Sequence, residues 1–275
     1  MNVFTVDVEE WFHVCGIEAT LPPARWPSLP ARVLPNTMRV LDLLDRAGVS
    51  GTFFVVGWIA ERYPQLIQSI AAAGHEVGSH SQWHRRVYEL GAAAFADDLG
   101  QSVNSIAASG VPAPTAYRAP EWSINDRTPW ALDELTRQGF TVDASMAPLR
   151  MVGRVEFRRD PHVRSTKGGS IVEVPPLVAD RFGQVMPLGW GWGLRMSSPQ
   201  RVLRAIGELN DSGLPAVLTL HPWEIDPDPP RMPLPLRLRF AHYFRLSGFE
   251  SRLKTIVHAA PFSTLGETAR CARAA

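Results

Sequence analysis

The chain has 275 residues, enough for one large α/β domain or two small ones, and its 45% hydrophobic and 20% charged content rules out wholesale disorder. Twenty-eight Lys+Arg against 27 Asp+Glu leave a net charge of +1, so no overall field draws the chain to nucleic acid. Its 24 prolines and 21 glycines argue against a plain helical bundle, and two cysteines, Cys15 and Cys271, exclude a disulfide framework or a CxxC zinc site.

Short β-branched or aromatic runs predict strands at Val3–Val8, Thr52–Val56, Glu76–Gly78, Ala116–Arg118, Thr141–Asp143, Ile171–Val174 and Ala216–Leu220. Helical patterns lie between them. One is N-capped by Asn36 or Thr37, runs to Ala47 and stops at Gly48; a second spans Trp58–Ala73. Others span Ala92–Ser109, Thr128–Gln138 and Pro199–Leu209. This alternation predicts βα units and a mostly parallel sheet. Gly183–Gly193 reads as a long structured loop rich in Trp and Gly. The segment after Pro227 is proline-rich and then basic, with Arg231, Arg237, Arg239, Arg245, Arg252 and Lys254 against Glu250 alone. Its Leu236, Phe240, Tyr243 and Phe244 are expected to cover the barrel. No aromatic RNA-reading motif accompanies these basic residues, so nucleic acid is not expected as a partner. The first residues, MNVFTVDVEEWF, are broken by Asp7, Glu9 and Glu10, and no run approaches the roughly 18 apolar residues of a membrane span. A soluble, cytoplasmic protein is the expectation.

Parallel β/α folds gather their ligands at the C-terminal ends of strands, and four chemical clusters fall there. Asp7 and Glu9, two apart on an extended chain, share a face; one suits a metal and the other a proton, while Glu10 faces the opposite way. The plain alternative is a turn-capping Asp7 and solvated glutamates. His80 and His84, four apart, would reach one point from a helical turn, a spacing suited to a divalent ion. His75, at the far end of its strand, reads as structural. Arg118 can pin a carboxylate by paired N–H bonds, although a surface Arg in a turn is the simpler reading of that residue alone. His221 enters a turn stiffened by Pro222, where an imidazole can donate a proton or serve as an ordinary loop residue. Trp11, Trp122, Trp190, Trp192 and Trp223 fall on or near the same face and suit sugar stacking or packing.

Taken in order, TVDVEEWFHV, GHEVGSHSQWHRRVYEL, YRAPEWSI, VDASMAP and LHPWEIDPDPPR, with the connecting GTFFVVGWIAERYP, carry a resemblance. The chain resembles polysaccharide deacetylases of the NodB-homology group (carbohydrate esterase family four). More narrowly it resembles the branch found with exopolysaccharide and exosortase gene clusters, which has a DUF3473-type C-terminal extension. The resemblance implies a distorted (β/α)7 barrel over residues 1–225, with 226–275 packed on it in a single structural domain. It implies one divalent ion, usually zinc, held by His80, His84 and an acid. Val8 stands where many relatives carry the ligating aspartate, so Glu9 is the expected third ligand, ahead of Glu10. Asp7 would be the general base, Arg118 its tether and His221 the general acid. Trp11, Tyr117, Pro120, Trp122 and Trp223 would touch substrate, a backbone N–H near Tyr117–Arg118 or in the loop after it would hold the oxyanion, and Asp143 and Ser145 would be structural. The implied activity is removal of N-acetyl groups from sugars of a polysaccharide or its lipid-linked precursor. Alternatives are a small-amide hydrolase similar to allantoinase and a non-catalytic glycan-binding scaffold. Peripheral contact with the inner membrane face through the basic tail is also expected.

Overall fold

Strands that are apolar on both faces must lie between layers that cover them, and every residue of the first strand is buried. The computed structural model describes residues 1–181 and 183–274. In chain order the first half comprises β1 (Asn2–Val8), α1 (Val33–Ala47), β2 (Thr52–Val55), α2 (Gly57–Arg62), α3 (Pro64–Ala72), β3 (Glu76–Ser79), α4 (Val87–Leu90), α5 (Ala92–Ala108), β4 (Ala116–Tyr117), α6 (Ala131–Arg137) and β5 (Val142–Asp143). There follow β6 (His162–Thr166), β7 (Gly169–Glu173), β8 (Val178–Arg181), β9 (Gln184–Pro187), α7 (Gly191–Met196), α8 (Pro199–Asp211), β10 (Val217–Leu220), α9 (Leu236–Tyr243), α10 (Phe249–Ala259), β11 (Phe262–Ser263) and α11 (Leu265–Ala274).

The seven predicted strands are β1, β2, β3, β4, β5, β7 and β10, and they form one parallel sheet in the order β10-β1-β2-β3-β4-β5-β7. β6 adds an antiparallel edge beyond β7, and β11 pairs with the start of β1. The sheet curls into a distorted (β/α)7 barrel whose last seam lacks a regular strand pair. There the chain leaving β7 crosses to β10: the Leu177 amide donates to the Val217 carbonyl at 3.1 Å, and the Thr219 amide to Gly189 at 2.6 Å. Gly189 is required at this seam, because a Cβ would lie 2.5 Å from both Leu177 Cβ and the Val217 carbonyl.

Several element boundaries differ from the expectations, each for a visible reason. α1 begins at Val33, ahead of Asn36, because the Glu10 carboxylate accepts from the Arg32 and Val33 amides and caps the helix from outside. Burial pushes that carboxyl up to about 7, against the opposing pull of the same amides. The expected helix from Trp58 to Ala73 breaks at Tyr63, since the residue before Pro64 is driven out of helical geometry. α6 starts at Ala131, as the Thr128 hydroxyl closes a turn onto Asn125 instead. The expected loop at 183–193 holds strand β9, paired with β8, and the start of α7. β9 is only four residues long and ends at Pro187, so its run does not announce itself as a strand. In α9 Tyr243 packs on the core as expected, but Leu236, Phe240 and Phe244 face solvent, while buried His242 stacks on Trp223 and turns the opposite side of the helix inward.

Asp143 and Glu173 are direct neighbours across β5 and β7, and both are fully buried. Asp143 accepts from the Ser145 hydroxyl, and Glu173 Oε1 accepts from the Met146 amide at 3.0 Å. Burial raises both carboxyls, and the Asp143 charge raises Glu173 further, so the folded pair retains a proton. An acid whose pKa rises on folding stabilises the protein below its unfolded pKa, near 4.5 for Glu173, and that contribution is lost as pH rises toward the folded value. Glu173→Gln should therefore gain thermal stability over the wild type as pH is raised from 5 to 9, by about 2–4 °C for each kcal/mol relieved. A melting-temperature difference that stays constant with pH would contradict this.

Candidate active site

The functional side chains emerge where β1, β3, β4 and β10 end. Asp7 lies near the end of β1 and Glu9 just beyond it, and alternation of the extended chain sends both into the barrel mouth while Glu10 turns away to α1. Arg118 follows β4, its guanidinium buried over the Phe54 ring at 4.4 Å. Its Nη1 donates to Asp7 Oδ1 at 2.8 Å and to Thr5 Oγ1 at 2.7 Å, and its Nε reaches the Ala144 carbonyl at 3.3 Å. The tether is thus one N–H bond to Asp7 rather than a paired fork.

His80 follows β3, and its Nδ1 donates to the Arg118 carbonyl at 2.7 Å, which leaves Nε2 as the free nitrogen, 4.0 Å from Asp7 Oδ2. Burial pushes this imidazole down to about 4. The expected helical turn from His80 to His84 is absent; the segment is a loop in which Ser81 and His84 adopt left-handed φ of 68° and 51°. Its shape is held by buried Asp98 of α5, which accepts from the Gln82 amide at 2.9 Å and the Trp83 amide at 3.3 Å. The loop brings His84 Nε2 to 2.5 Å from Glu9 Oε2, while Glu9 Oε1 accepts from the Trp223 indole at 2.9 Å. Burial alone would raise the Glu9 carboxyl, but His84, His221 and His80 outweigh it and hold Glu9 well below the usual carboxylate range.

His221 follows β10 with Nε2 at 3.9 Å from Asp7 Oδ2 and 3.8 Å from Glu9 Oε1. On its other side, Nδ1 and the backbone amide both lie 3.0 Å from Glu224 Oε2. Arg195 of α7 donates to Glu224 Oε1 at 2.8 Å and also to the Ala241 and Phe244 carbonyls at the end of α9. Gly191 makes room for this clamp, since a Cβ there would sit 1.8 Å from Glu224 Oε2. Burial would depress the His221 imidazole, yet the carboxylates of Glu9, Glu224 and Asp7 and the Glu224 hydrogen bond together raise it to about 9.

These groups open onto one cavity of about 200 Å³. Asp7, Glu9, His80, His84, His221, Trp122 and Trp223 line it, with Trp190 packed on Trp122 at 4.2 Å between ring centres. Arg118 lies beneath, bonded to Asp7. Three expected substrate contacts lie elsewhere: Tyr117 packs between Phe95 and Phe140, Trp11 donates to the Pro30 carbonyl within the core, and Pro120 is buried in its turn. The amides of Arg118 and Ala119 are already bonded, to the Ser79 carbonyl and the Ser145 hydroxyl, so neither is free for an oxyanion. Ser145 and Asp143 shape the segment from below. Sequence reasoning assigned no role to Glu224, Arg195 or Asp98. Glu224 carried a readable signal, because a Glu three residues after His221 has the spacing of a capping box. The other two come close only through tertiary contact.

Glu9, His80 and His84 offer one oxygen and two nitrogens that all lie within 4.8 Å of one another. Glu9 Oε2 is buried and accepts no hydrogen bond, since its contact with His84 Nε2 is out of hydrogen-bonding geometry. A carboxylate oxygen left so, beside imidazole nitrogens whose tautomer is set from behind, fits a divalent ion with mixed N/O ligands.

Two family models match the chain: "Polysaccharide deacetylase" over residues 31–141 and "Domain of unknown function (DUF3473)" over 144–270. A peptidoglycan deacetylase of Helicobacter pylori is 32% identical over 108 residues, covering 39% of this chain and 36% of its own. A chitooligosaccharide deacetylase of Sinorhizobium fredii is 48% identical over 48 residues, covering 18% and 22%. The chain therefore matches well under half the length of these relatives. A crystal structure from Mycobacterium smegmatis, provisionally assigned as a polysaccharide deacetylase, superposes with a TM-score of 0.61 at 24% identity, covering 99% of this chain and 89% of that one; it speaks to the fold.

Because Asp98 alone bonds both amides at the start of the His80–His84 loop, Asp98→Ala should speed hydrogen exchange at Gln82 and Trp83 and cost about 1–3 kcal/mol of stability. Unchanged protection at both amides would show that the loop is held otherwise.

Proposed function

Since the chain belongs to the polysaccharide deacetylase family of the NodB-homology type and carries a DUF3473 segment, we propose that it is a metal-dependent hydrolase that removes N-acetyl groups from sugars of a polysaccharide or its lipid-linked precursor. Exopolysaccharide biosynthesis in the cytoplasm, before export, is the setting we propose. The observation that carries the reading is the meeting of Glu9, His80 and His84 beside Asp7 and His221 in one cavity. Residues 1–225 are read as the catalytic barrel and 226–275 as an extension packed on it. Among the described residues no helix is long and apolar enough to cross a membrane.

In this reading Glu9, His80 and His84 hold one divalent ion, with zinc the best match to the donor set. When bound, it would supply Lewis acidity for the amide carbonyl and acidify the attacking water. Arg118 fixes Asp7 through Oδ1 and leaves Oδ2 toward the cavity to accept the water's proton. As water oxygen bonds to the acetyl carbon, the C–N bond breaks and its electron pair passes to nitrogen. His221 delivers a proton from Nε2, so the amine leaves neutral and acetate retains the new oxygen. Glu224 keeps the Nδ1 proton on its own side, and Arg195 keeps Glu224 in place. Trp122 and Trp190 give an acetamido sugar apolar ring surface to pack against, while Trp223, stacked between His221 and His242, walls the cavity. A binding-only scaffold would have no use for this acid/base pair. The small volume of the cavity keeps a small linear or cyclic amide as a second reading.

Purified protein should take up one zinc per chain, and His80→Ala should lose it; a wild-type chain unable to bind zinc overturns the metal assignment. Acetate release from N-acetylglucosamine oligomers should fall about 10²–10⁴-fold in Asp7→Asn and in His221→Ala. Full turnover in either variant means that its acid/base role is misassigned. Arg195→Lys, which keeps the charge but cannot span all three acceptors, should lower kcat by roughly tenfold or more with KM little changed. A change confined to KM would place Arg195 in substrate binding instead.

A further inference from the structure

The helix α9 presents two faces of different chemistry. Inward, Leu238, Ala241 and His242 line the catalytic cavity, His242 stacks on Trp223 at 4.1 Å, and Arg195 holds the last turn through the Ala241 and Phe244 carbonyls. Outward, Leu236, Phe240 and Phe244 recur every fourth residue and are 81%, 49% and 38% exposed, with the two phenyl rings stacked at 4.5 Å. Arg237 and Arg239 flank this stripe at helical spacing, one on each side. Residues 229–254 hold six basic side chains and one acid, Glu250, which Arg39 already engages at 2.5 Å. The other nearby carboxylates, Glu224 and Asp226, face Arg195 and Arg32.

The inner contacts stop α9 from rolling its apolar residues into the protein. An apolar stripe held outward between uncompensated guanidinium groups offers a lipid surface both apolar contact and charge attraction. A soluble polyanion would satisfy the arginines but leave the stripe in water, whereas an anionic lipid surface meets both. We propose that α9 docks this protein on a bilayer containing anionic phospholipid, with Leu236, Phe240 and Phe244 entering the headgroup boundary and Arg231, Arg237, Arg239 and Arg245 against the phosphates. The inner side of the same helix walls the cavity, so docking sets the cavity mouth at the lipid surface, where a lipid-linked glycan would be presented. Only this last step rests on the deacetylase reading.

The test is flotation of the full chain with vesicles of phosphatidylcholine alone and of phosphatidylcholine with phosphatidylglycerol. The protein should float with the phosphatidylglycerol vesicles and release as salt is raised. Arg237→Gln and Arg239→Gln should each weaken partitioning about fivefold. Leu236→Ser with Phe240→Ser should abolish it, with the unfolding midpoint and acetate release from soluble oligomers unchanged, because neither residue is buried. No flotation, equal flotation on both vesicle types, or binding insensitive to these substitutions overturns the proposal. So does a dimer that the Leu236→Ser/Phe240→Ser variant converts to monomer, since that assigns the face to a second copy. A protein that floats but releases no acetate sinks the deacetylase reading and leaves the docking standing.

Discussion

Ionised side chains cannot be left uncompensated in a barrel interior, and this constraint organises the molecule around its C-terminal mouth. Asp7, Glu9, Arg118, Arg195 and Glu224 are all buried, and each meets an opposite charge or a hydrogen bond within the barrel. Arg118 serves Asp7, the histidines serve Glu9, and Arg195 serves Glu224, which in turn holds His221. Breaking one member leaves a buried charge behind, so the groups form a linked set rather than separate pairs. The same arrangement leaves Asp7 Oδ2, His80 Nε2 and His221 Nε2 facing a common space, at separations near 4 Å.

The two family matches meet between residues 141 and 144, within β5, which is not a boundary in the structure. β7 and β10 belong to the second match yet complete the sheet begun by the first, and His221, Glu224 and Arg195 arrive with them. Asp7 is thus opposed by a histidine more than two hundred positions away. Arg195 extends the connection to α9, joining the cavity to the helix whose outer side is apolar and basic. Through Leu238, Ala241 and His242, α9 in the closing segment of the chain forms part of the wall of the cavity.

Much of this organisation was legible in the residue order. All seven parallel strands fall on the predicted segments, although β4 and β5 are only two residues long, and the side chains that gather at the mouth sit at or just beyond their ends. The departures occur where local pattern competes with a distant partner. Glu10 moves the start of α1, and Asp98 bends the His80–His84 segment into a left-handed loop where spacing suggested a helical turn; the helix split at Pro64 is the local exception. The outward turn of Leu236, Phe240 and Phe244 belongs to the same class, because apolar residues on a short helix say nothing about which side finds a partner.

By itself, the order of residues determined the seven parallel strands, the α/β alternation and the inward pairing of Asp7 with Glu9, since these follow from periodicity and steric preference among near neighbours. Only tertiary structure decided that Arg118 reaches Asp7 by one bond, that Arg195 clamps Glu224, and which side of α9 meets water. Those outcomes depend on residues 19 to 111 positions apart being brought together, and no local propensity records such a distance.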